Sequence, residues 1–246
     1  MIAAGARRRA GAGADLVGVT LDALGTVVRL EDPVPRLQAS LRDRLGLEVP
    51  PEACRAALRA EMRHYRAHCR TAVDAASLER LRLDCAAVLA AALDHGLTAT
   101  QALPCLLDAI AFSLYPDVPE ALDRLDEAGL RLAVVSNWDV SLHATLRDLG
   151  IDARFSAVLT SADTGSPKPQ PELFRRAAAA LDAPARRLLH VGDDPVQDVD
   201  GARAAGFSAV LLQRDTAPDQ RTPRIRTLLE LPGLLGSHHD EDGATR

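Results

Sequence analysis

The sequence has few of the features that mark membrane, nucleic-acid-binding or secreted proteins. Its longest apolar run, residues 85–93, is far too short to span a bilayer. The net charge is −5 and no basic face is concentrated, which argues against a nucleic-acid partner. The leader before residue 15 has one arginine run but lacks the apolar stretch that a signal peptide needs. These absences predict a soluble, cytoplasmic protein with no membrane or nucleic-acid partner.

The sequence also lacks a convincing cysteine or histidine metal site. Its four cysteines form no C-x-x-C pair and fall in one stretch of helical pattern, so we expect buried core residues in a reducing compartment. His64 and His68 lie four residues apart, a spacing that could put two ligands on one helix face. The nearby Arg63, Arg66 and Arg70 would repel a cation, which argues against a metal site. These arginines could select an acidic substrate, but arginines at helical spacing usually form a solvated face, which we favour.

The chain of 246 residues, 47% of them hydrophobic, can bury one substantial core and a smaller appended domain. From residue 33 to about residue 114 the pattern is almost wholly helical, broken at Gly46, at the prolines 50–51, near Gly96 and at Pro104, and no strand-like alternation interrupts it. From residue 115 helical stretches alternate with the apolar strands LRLAVVSN, FSAVLT, LLHVGD and SAVLL. The strand at residues 17–21 has the same buried character and belongs to the same sheet.

These patterns predict an α/β fold, a parallel sheet flanked by helices with an inserted helical domain. We assign residues 15–30 and 115–235 to the sheet domain and residues 31–114 to the helical insertion. Residues 1–14 and 236–246 are predicted to be disordered tails, and IRTLLELPGLL is predicted to add a last short strand and helix.

The most informative segment is residues 16–28, LVGVTLDALGTVV. An apolar strand here delivers one carboxylate, Asp22, into a Gly-Thr turn, at the strand end where open α/β sheets bind ligands. A second polar pair, Ser136 and Asn137, ends the strand LAVVSN and can donate hydrogen bonds to an anion.

Two further segments carry charge. The segment TGSPKPQPELF holds Lys168, the only lysine among 29 basic residues, between two prolines that stiffen its backbone, as a point-charge contact to phosphate requires. The segment LLHVGDDPVQDVDGARAAG clusters four carboxylates, whose repulsion a hard cation such as Mg²⁺ would compensate. For two of them, Asp194 and Asp200, we favour a role as acids at a helix N-terminus.

In order and spacing these four segments resemble the motifs of the haloacid dehalogenase-like (HAD) hydrolases. The family patterns are D-x-D-x-[TV] at Asp22, G-x-x-K-P-x-P at Lys168 and G-D-x-x-x-x-D at Asp193 and Asp198. The resemblance implies a Rossmann-like HAD core with a type 1 helical cap over the active site. It also implies a small anionic substrate such as a phosphate ester.

The resemblance implies a role for each matching residue. The catalytic residues would be Asp22, Ser136 and Lys168. The substrate-binding residues would be Gly25, Thr26 and Asn137. Mg²⁺ would be held by Asp22, the backbone carbonyl of Leu24 and Asp193, with Asp198 as a supporting ligand or an acceptor behind the ligands. Trp138 would either line this site or wedge against the cap.

The chain departs from the family's phosphatases at Leu24, where those enzymes carry the general acid/base. Such a group contributes on the order of 10²- to 10⁴-fold to the rate. Three functions remain open: a slowed or narrowed Mg²⁺-dependent phosphatase, which we favour, an L-2-haloacid dehalogenase, and a non-catalytic phosphate- or metal-binding pseudo-hydrolase. The dehalogenases also read D-A-x-G-T and need no acid to expel a halide, but they lack the acid cluster at Asp193.

Overall fold

The computed structural model describes residues 16–214 and 224–236. The described strands are β1 (Gly18–Leu21), β2 (Val28–Leu30), β3 (Phe112–Leu114), β4 (Arg131–Ser136), β5 (Ala157–Thr160), β6 (Leu188–Gly192), β7 (Ser208–Leu212) and β8 (Arg224–Ile225). Six of them form one parallel sheet in the order β5-β4-β1-β6-β7-β8. The predicted tails lie outside the described residues, apart from residue 236.

Ten α-helices are described, and one π-helix follows β6 at Pro195–Asp200. The α-helices are α1 (Pro33–Leu45), α2 (Pro51–His68), α3 (Ala75–Leu93), α4 (Ala99–Ala109), α5 (Val118–Glu127), α6 (Leu142–Asp148), α7 (Ser161–Thr164), α8 (Glu172–Ala180), α9 (Gly201–Ala204) and α10 (Leu231–Gly236). Within the described ranges, no helix combines the length and the apolar character needed to cross a membrane.

The sheet is buried on both faces, as continuous apolar strands require. Helices α5 and α6 pack on one face, where they meet Leu21 of β1 and Val134 of β4. Helices α8 and α9 pack on the other face, against Val135 of β4 and Leu211 of β7. The predicted α/β fold with a flanked parallel sheet is confirmed, and so are the last short strand and helix, β8 and α10.

Helices α1 to α4, which we call the helical block, enclose an apolar cluster of their own. All four cysteines are free and buried in it, as predicted. The predicted helix break at Pro104 is wrong, because this proline lies inside α4. Its missing N–H removes one helical hydrogen bond, and the burial of the next residues, Cys105 and Leu106, holds the helix against the rest of the block.

The strands β2 and β3 form a short antiparallel pair. β2 leads from the sheet into the helical block, and β3 leads from the block back to the sheet. The prediction of an uninterrupted helical pattern to residue 114 is therefore wrong at β3. With three residues the strand is too short to produce visible alternation. The pair lies at the predicted boundaries near residues 30 and 114, and the division into two domains stays a prediction.

The segment after β7 is tied to the turn after β1 by one half-buried arginine, Arg214. Both oxygens of Asp117 accept hydrogen bonds from Arg214 Nη1 at 2.9 Å, and Arg214 Nη2 donates to the Thr26 carbonyl at 2.8 Å. The guanidinium also lies 3.9 Å from the ring centre of Tyr115. Asp117 further accepts from the hydroxyl of Thr227 at 2.7 Å, so one ion pair connects four segments.

We predict that Arg214→Ala lowers the free energy of unfolding by about 2–4 kcal/mol, because it leaves a largely buried carboxylate without its cation. Arg124→Ala is the matched control, since the Arg124–Glu120 pair is exposed and should change stability by less than about 0.5 kcal/mol. Urea denaturation of the three proteins measures both values. Equal losses in the two variants would contradict a special role for Arg214.

Candidate active site

The predicted site residues gather at the carboxyl ends of three neighbouring strands. β1 lies between β4 and β6, and Leu21 is in register with Val134 on one side and Val191 on the other. Asp22 therefore emerges beside the end of β4, where Ser136 lies, and beside the end of β6, which Asp193 follows. This is the edge at which open parallel sheets bind their ligands.

The chain turns sharply after Asp22. The carbonyl of Ala23 accepts hydrogen bonds from the amides of Thr26, Val27 and Val28, at 3.2, 2.9 and 2.8 Å, and Gly25 N–H donates to the Val28 carbonyl. Among the described residues, no backbone hydrogen bond of this turn ends on the Leu24 carbonyl. That oxygen is therefore left for another ligand.

Lys168 links two of the carboxylates. Its Nζ lies 2.6 Å from Asp22 Oδ1 and 2.5 Å from Asp198 Oδ1, and only 4% of the residue is exposed. Burial by itself lowers the pKa of Lys168, but the two carboxylates outweigh it and raise that pKa to about 12. The ammonium is therefore a permanent charge in the site.

The two carboxylates respond differently to this arrangement. Burial raises the pKa of Asp22 to about 6, although Lys168 opposes the shift. Asp198 is also buried, but Lys168 and His190 outweigh that effect and hold its pKa well below the usual range. Near neutral pH both groups are largely ionised.

The Asp198 carboxylate has two further hydrogen-bond partners besides Lys168. Its Oδ1 lies 3.2 Å from His190 Nε2, and its Oδ2 accepts the Asp194 amide at 2.9 Å. His190 Nδ1 lies 2.8 Å from the hydroxyl of Thr20. Because burial lowers the pKa of His190, the ring is neutral, and donation from Nε2 to Asp198 assigns Nδ1 as the acceptor.

Sequence reasoning missed His190. The available signal was a polar residue inside the apolar run LLHVG, which is fully buried as β6. A histidine there needs buried partners for both ring nitrogens, and Thr20 and Asp198 provide them.

Asn137 is engaged with the lysine segment. Its amide donates to the Lys168 carbonyl at 3.0 Å and to Gln197 Oε1 at 2.6 Å, and its Oδ1 accepts the Lys168 amide at 2.7 Å. These bonds give Asn137 a positioning role for Lys168, and its binding of substrate stays a prediction. Ser136 is buried at the end of β4, next to Asn137.

The prediction for Asp194 is confirmed, and Asp200 lacks the corresponding bond. Asp194 Oδ1 accepts the amides of Val196 and Gln197, both at 2.8 Å, at the start of the π-helix. Asp200 precedes α9 without a side-chain capping bond.

The residues present fit a magnesium ion. Carboxylate oxygens of Asp22, Asp193 and Asp198 lie within 4.8 Å of one another, and within residues 16–214 and 224–236 they form the one such group of potential ligands. Hard oxygen ligands suit Mg²⁺. Thr26 adds a buried hydroxyl that has no hydrogen-bond partner in the described chain. His64 and His68 instead stack on each other, with ring centres 4.2 Å apart.

Two glycines make room for these acids. A Cβ at Gly25 would lie 2.2 Å from Asp193 Oδ2, and a Cβ at Gly192 would lie 2.2 Å from Asp198 Cγ. Gly25 also has a φ of 89°, which a side chain would strain. The sequence prediction of Gly25 as a substrate-binding residue is untested, but the geometry gives it a further reason to be glycine.

A cavity of about 350 Å³ opens beside the site, between the helical block and the segment after β4. We call it the Leu24 cavity, because Leu24 lines it together with Trp138, Phe112 and Tyr65. The ring centres of Trp138 and Phe112 lie 5.1 Å apart, so Trp138 lines the cavity and also contacts β3, the strand that follows the helical block. Of Arg63, Arg66 and Arg70 on and after α2, Arg66 lines this cavity.

Comparison with known proteins gives a consistent picture. A family model described as a haloacid dehalogenase-like hydrolase matches residues 16–206. The human haloacid dehalogenase-like hydrolase domain-containing protein 3 is 31% identical over 258 residues, which covers 92% of this chain and 95% of that protein. A ribulose-1,5-bisphosphate 5-phosphatase from Halopiger xanaduensis is 37% identical over 119 residues.

That match covers 48% of this chain and 50% of the phosphatase, and the chain spans about half the length of several curated relatives it matches. Among solved structures, the L-2-haloacid dehalogenase from Xanthobacter autotrophicus with covalently bound chloropropionic acid has a TM-score of 0.65 at 19% identity. The likeness covers 91% of this chain and 99% of that one. At this identity the likeness shows the fold alone.

We predict that Gly25→Ala weakens Mg²⁺ binding at least about tenfold, because its Cβ collides with Asp193 and displaces a ligand. Gly129→Ala is a matched control, since Gly129 also has a positive φ, 72°, but a Cβ there meets nothing within 4 Å. The control should lose only about 1 kcal/mol of stability from backbone strain. Titration calorimetry and urea denaturation separate the two effects, and unchanged affinity in Gly25→Ala would contradict this geometry.

Proposed function

Because the chain belongs to the haloacid dehalogenase-like hydrolases, we propose that it is a Mg²⁺-dependent phosphoric monoester hydrolase with Asp22 as the nucleophile. The observation that supports this most is the meeting of Asp22, Asp193 and Asp198 around the Lys168 ammonium. Three carboxylates and one buried cation form a site for one more cation and for an anion. The names of relatives such as the haloarchaeal phosphatase agree with a phosphate ester as substrate.

The proposed reaction has two displacements at phosphorus. Lys168 holds Asp22 Oδ1, so Oδ2 is the oxygen that attacks. The ester P–O bond breaks, the leaving oxygen takes the bonding electron pair and departs as an alkoxide or phenoxide that is then protonated by water, and an aspartyl-phosphate forms on Asp22. Water then attacks the same phosphorus, and the Asp22–phosphate bond breaks. This step releases inorganic phosphate and regenerates the Asp22 carboxylate.

Asp22, Asp193 and the Leu24 carbonyl would hold the Mg²⁺, with Asp198 in support, and the bound ion would offset the repulsion between Asp22 and the substrate. Lys168 adds a fixed positive charge for the phosphoryl oxygens. The hydroxyls of Thr26 and Ser136 are the nearby neutral donors, and Thr26 is the one without a described partner.

Leu24 determines which substrates can react. This residue lines the cavity where a leaving group would lie, and its side chain has no proton to give. The leaving oxygen must therefore depart as an anion or take its proton from water. We infer that esters of acidic alcohols, such as phenols, are hydrolysed well and that simple alkyl phosphates are hydrolysed slowly.

A leucine in place of the general acid at position 24 also favours the two other functions, L-2-haloacid dehalogenase and pseudo-hydrolase. A halide needs no proton to leave, and a pure binding protein needs no acid at all. The exposed acid Asp193 beside Asp22 argues against the dehalogenase, because repulsion would disfavour a carboxylate substrate unless a cation lies between them.

We predict that Asp22→Asn lowers kcat for p-nitrophenyl phosphate by at least about a thousandfold, because the nucleophile is lost. Asp200→Asn, which removes an exposed carboxylate of the same segment, should leave kcat within about threefold. The assay also includes a panel of phosphate esters and 2-chloropropionate, each with Mg²⁺ and with EDTA. Chloride release that EDTA does not affect would establish the dehalogenase, and no turnover of any compound would favour the pseudo-hydrolase.

We predict that Leu24→Asp raises kcat/KM for an alkyl phosphate about tenfold or more, because it supplies the missing proton donor. Leu24→Asn is the matched control, with similar size and polarity but no acid, and it should give no gain. In a series of aryl phosphates the rate should depend steeply on leaving-group pKa in the natural protein and weakly in Leu24→Asp. The same slope in both proteins would rule out this account of Leu24.

A further inference from the structure

The Leu24 cavity has two buried acids that the proposed reaction does not use, Glu61 and Asp139. Glu61 lies on α2, follows the buried residues Cys54, Ala57 and Leu58 at helical spacing, and is only 4% exposed. An acid on the apolar face of a helix is unusual unless it is paired.

Among residues 16–214 and 224–236, no cation forms an ion pair with Glu61. Its polar neighbour is the Cys85 thiol, and no described ion pair includes its carboxylate. Burial raises the pKa of Glu61, and the hydrogen bond with Cys85 only partly opposes the shift. A buried carboxyl in this state is stabilised by any cation that reaches it.

The other buried acid of the cavity is already satisfied. Asp139 accepts the hydroxyl of Tyr65 at 2.9 Å on one oxygen and the Ser141 amide at 2.6 Å on the other. Two arginines, Arg66 and Arg82, line the cavity as well, but both are exposed residues and neither forms a described ion pair with Glu61. Asp148 also lines the cavity, but it is exposed to solvent, so Glu61 is the buried acid of the cavity wall that no described cation pairs with.

The rest of the wall is mostly apolar. Leu24, Leu81 and Leu106 line it, together with the Trp138 and Phe112 rings. Such a wall accepts a flat hydrophobic group and excludes water around it. A leaving group whose phosphate lies at Asp22 and which passes Leu24 would enter this space, and its far end would face the helical block.

Resting on the phosphatase function proposed above, we propose that Glu61 binds an ammonium group at the far end of the leaving group. The substrate class is then a phosphate monoester of an apolar, preferably aromatic, alcohol that carries a primary amine. Two separate observations support this substrate class. Leu24 requires a leaving group of low pKa, and the unpaired Glu61 in an apolar wall requires a positive charge.

The test compares three esters of equal length: 4-(2-aminoethyl)phenyl phosphate, 4-(2-hydroxyethyl)phenyl phosphate and 4-propylphenyl phosphate. In the natural protein kcat/KM for the ammonium ester should exceed that for the propyl ester at least about tenfold, because a charge-assisted bond to Glu61 is made. In Glu61→Gln this ratio should fall by about tenfold, while kcat/KM for the propyl ester stays within about threefold.

Two controls accompany this measurement. Glu52→Gln removes an exposed acid from the same helix, α2, and should keep the natural ratio. Glu61→Leu replaces the unpaired carboxyl with a side chain that suits an apolar wall, so it should fold and should also lose the ammonium preference. An unchanged ratio in Glu61→Gln, or a natural preference for the hydroxyl ester, would overturn the proposal.

Calorimetry separates a failure of this proposal from a failure of the phosphatase function. The probes are 4-(2-aminoethyl)benzylphosphonate and 4-propylbenzylphosphonate, which cannot be hydrolysed. If no ester turns over, the phosphatase proposal fails, whereas an ammonium preference in Kd that disappears in Glu61→Gln supports the role of Glu61. Equal affinities, or no binding of either phosphonate, would overturn it.

Discussion

The ammonium of Lys168 is the charge on which the site depends. It lies between Asp22 and Asp198, at 2.6 and 2.5 Å, in a place from which water is nearly excluded. Removing one partner from such a buried arrangement typically destabilises a protein by about 3–5 kcal/mol, because the other charges lose their compensation. The end of β1, the segment after β6 and the loop between α7 and α8 must therefore come together as one unit.

Much of the surrounding structure keeps this lysine in place. Asn137 holds both the amide and the carbonyl of Lys168, and it reaches Gln197 of the π-helix. Asp194 caps that helix, and its own amide donates to Asp198. A lysine suits this place better than an arginine, since a compact ammonium can lie between two carboxylates where a planar guanidinium would need a wider space. The single lysine of the chain is thus explained by shape as well as by charge.

The sheet could be predicted from the sequence because its strands are continuous apolar runs. Each of β4, β6 and β7 lies within its predicted segment, and the helical block followed from three- and four-residue spacing. The β2–β3 pair could not be found, because two three-residue strands are recognisable only once they pair, and the 81 residues between Leu30 and Phe112 separate them.

Within the site, residue types at strand ends could be predicted, but contacts between segments could not. Asp22, Lys168 and Asp193 follow from local motifs. The role of His190 depends on Thr20, which is 170 positions earlier in the chain, and no local pattern encodes that distance. Pro104 was misread for the same reason, since tertiary packing outweighs a local helix breaker.

Leu24 lies where the ends of the core strands meet the cavity, and the core strands and the helical block contribute different groups there. The charged groups lie at the ends of the core strands, whereas the apolar wall and Glu61 come largely from the helical block. Leu24 lines the cavity, and its backbone belongs to the turn that presents Asp22. A side-chain change at this residue can therefore alter what happens to the leaving group while the turn, the acids and Lys168 keep their geometry. This separation supports the proposal that a chain with Leu24 in place of an acid keeps a site for an anion and a cation.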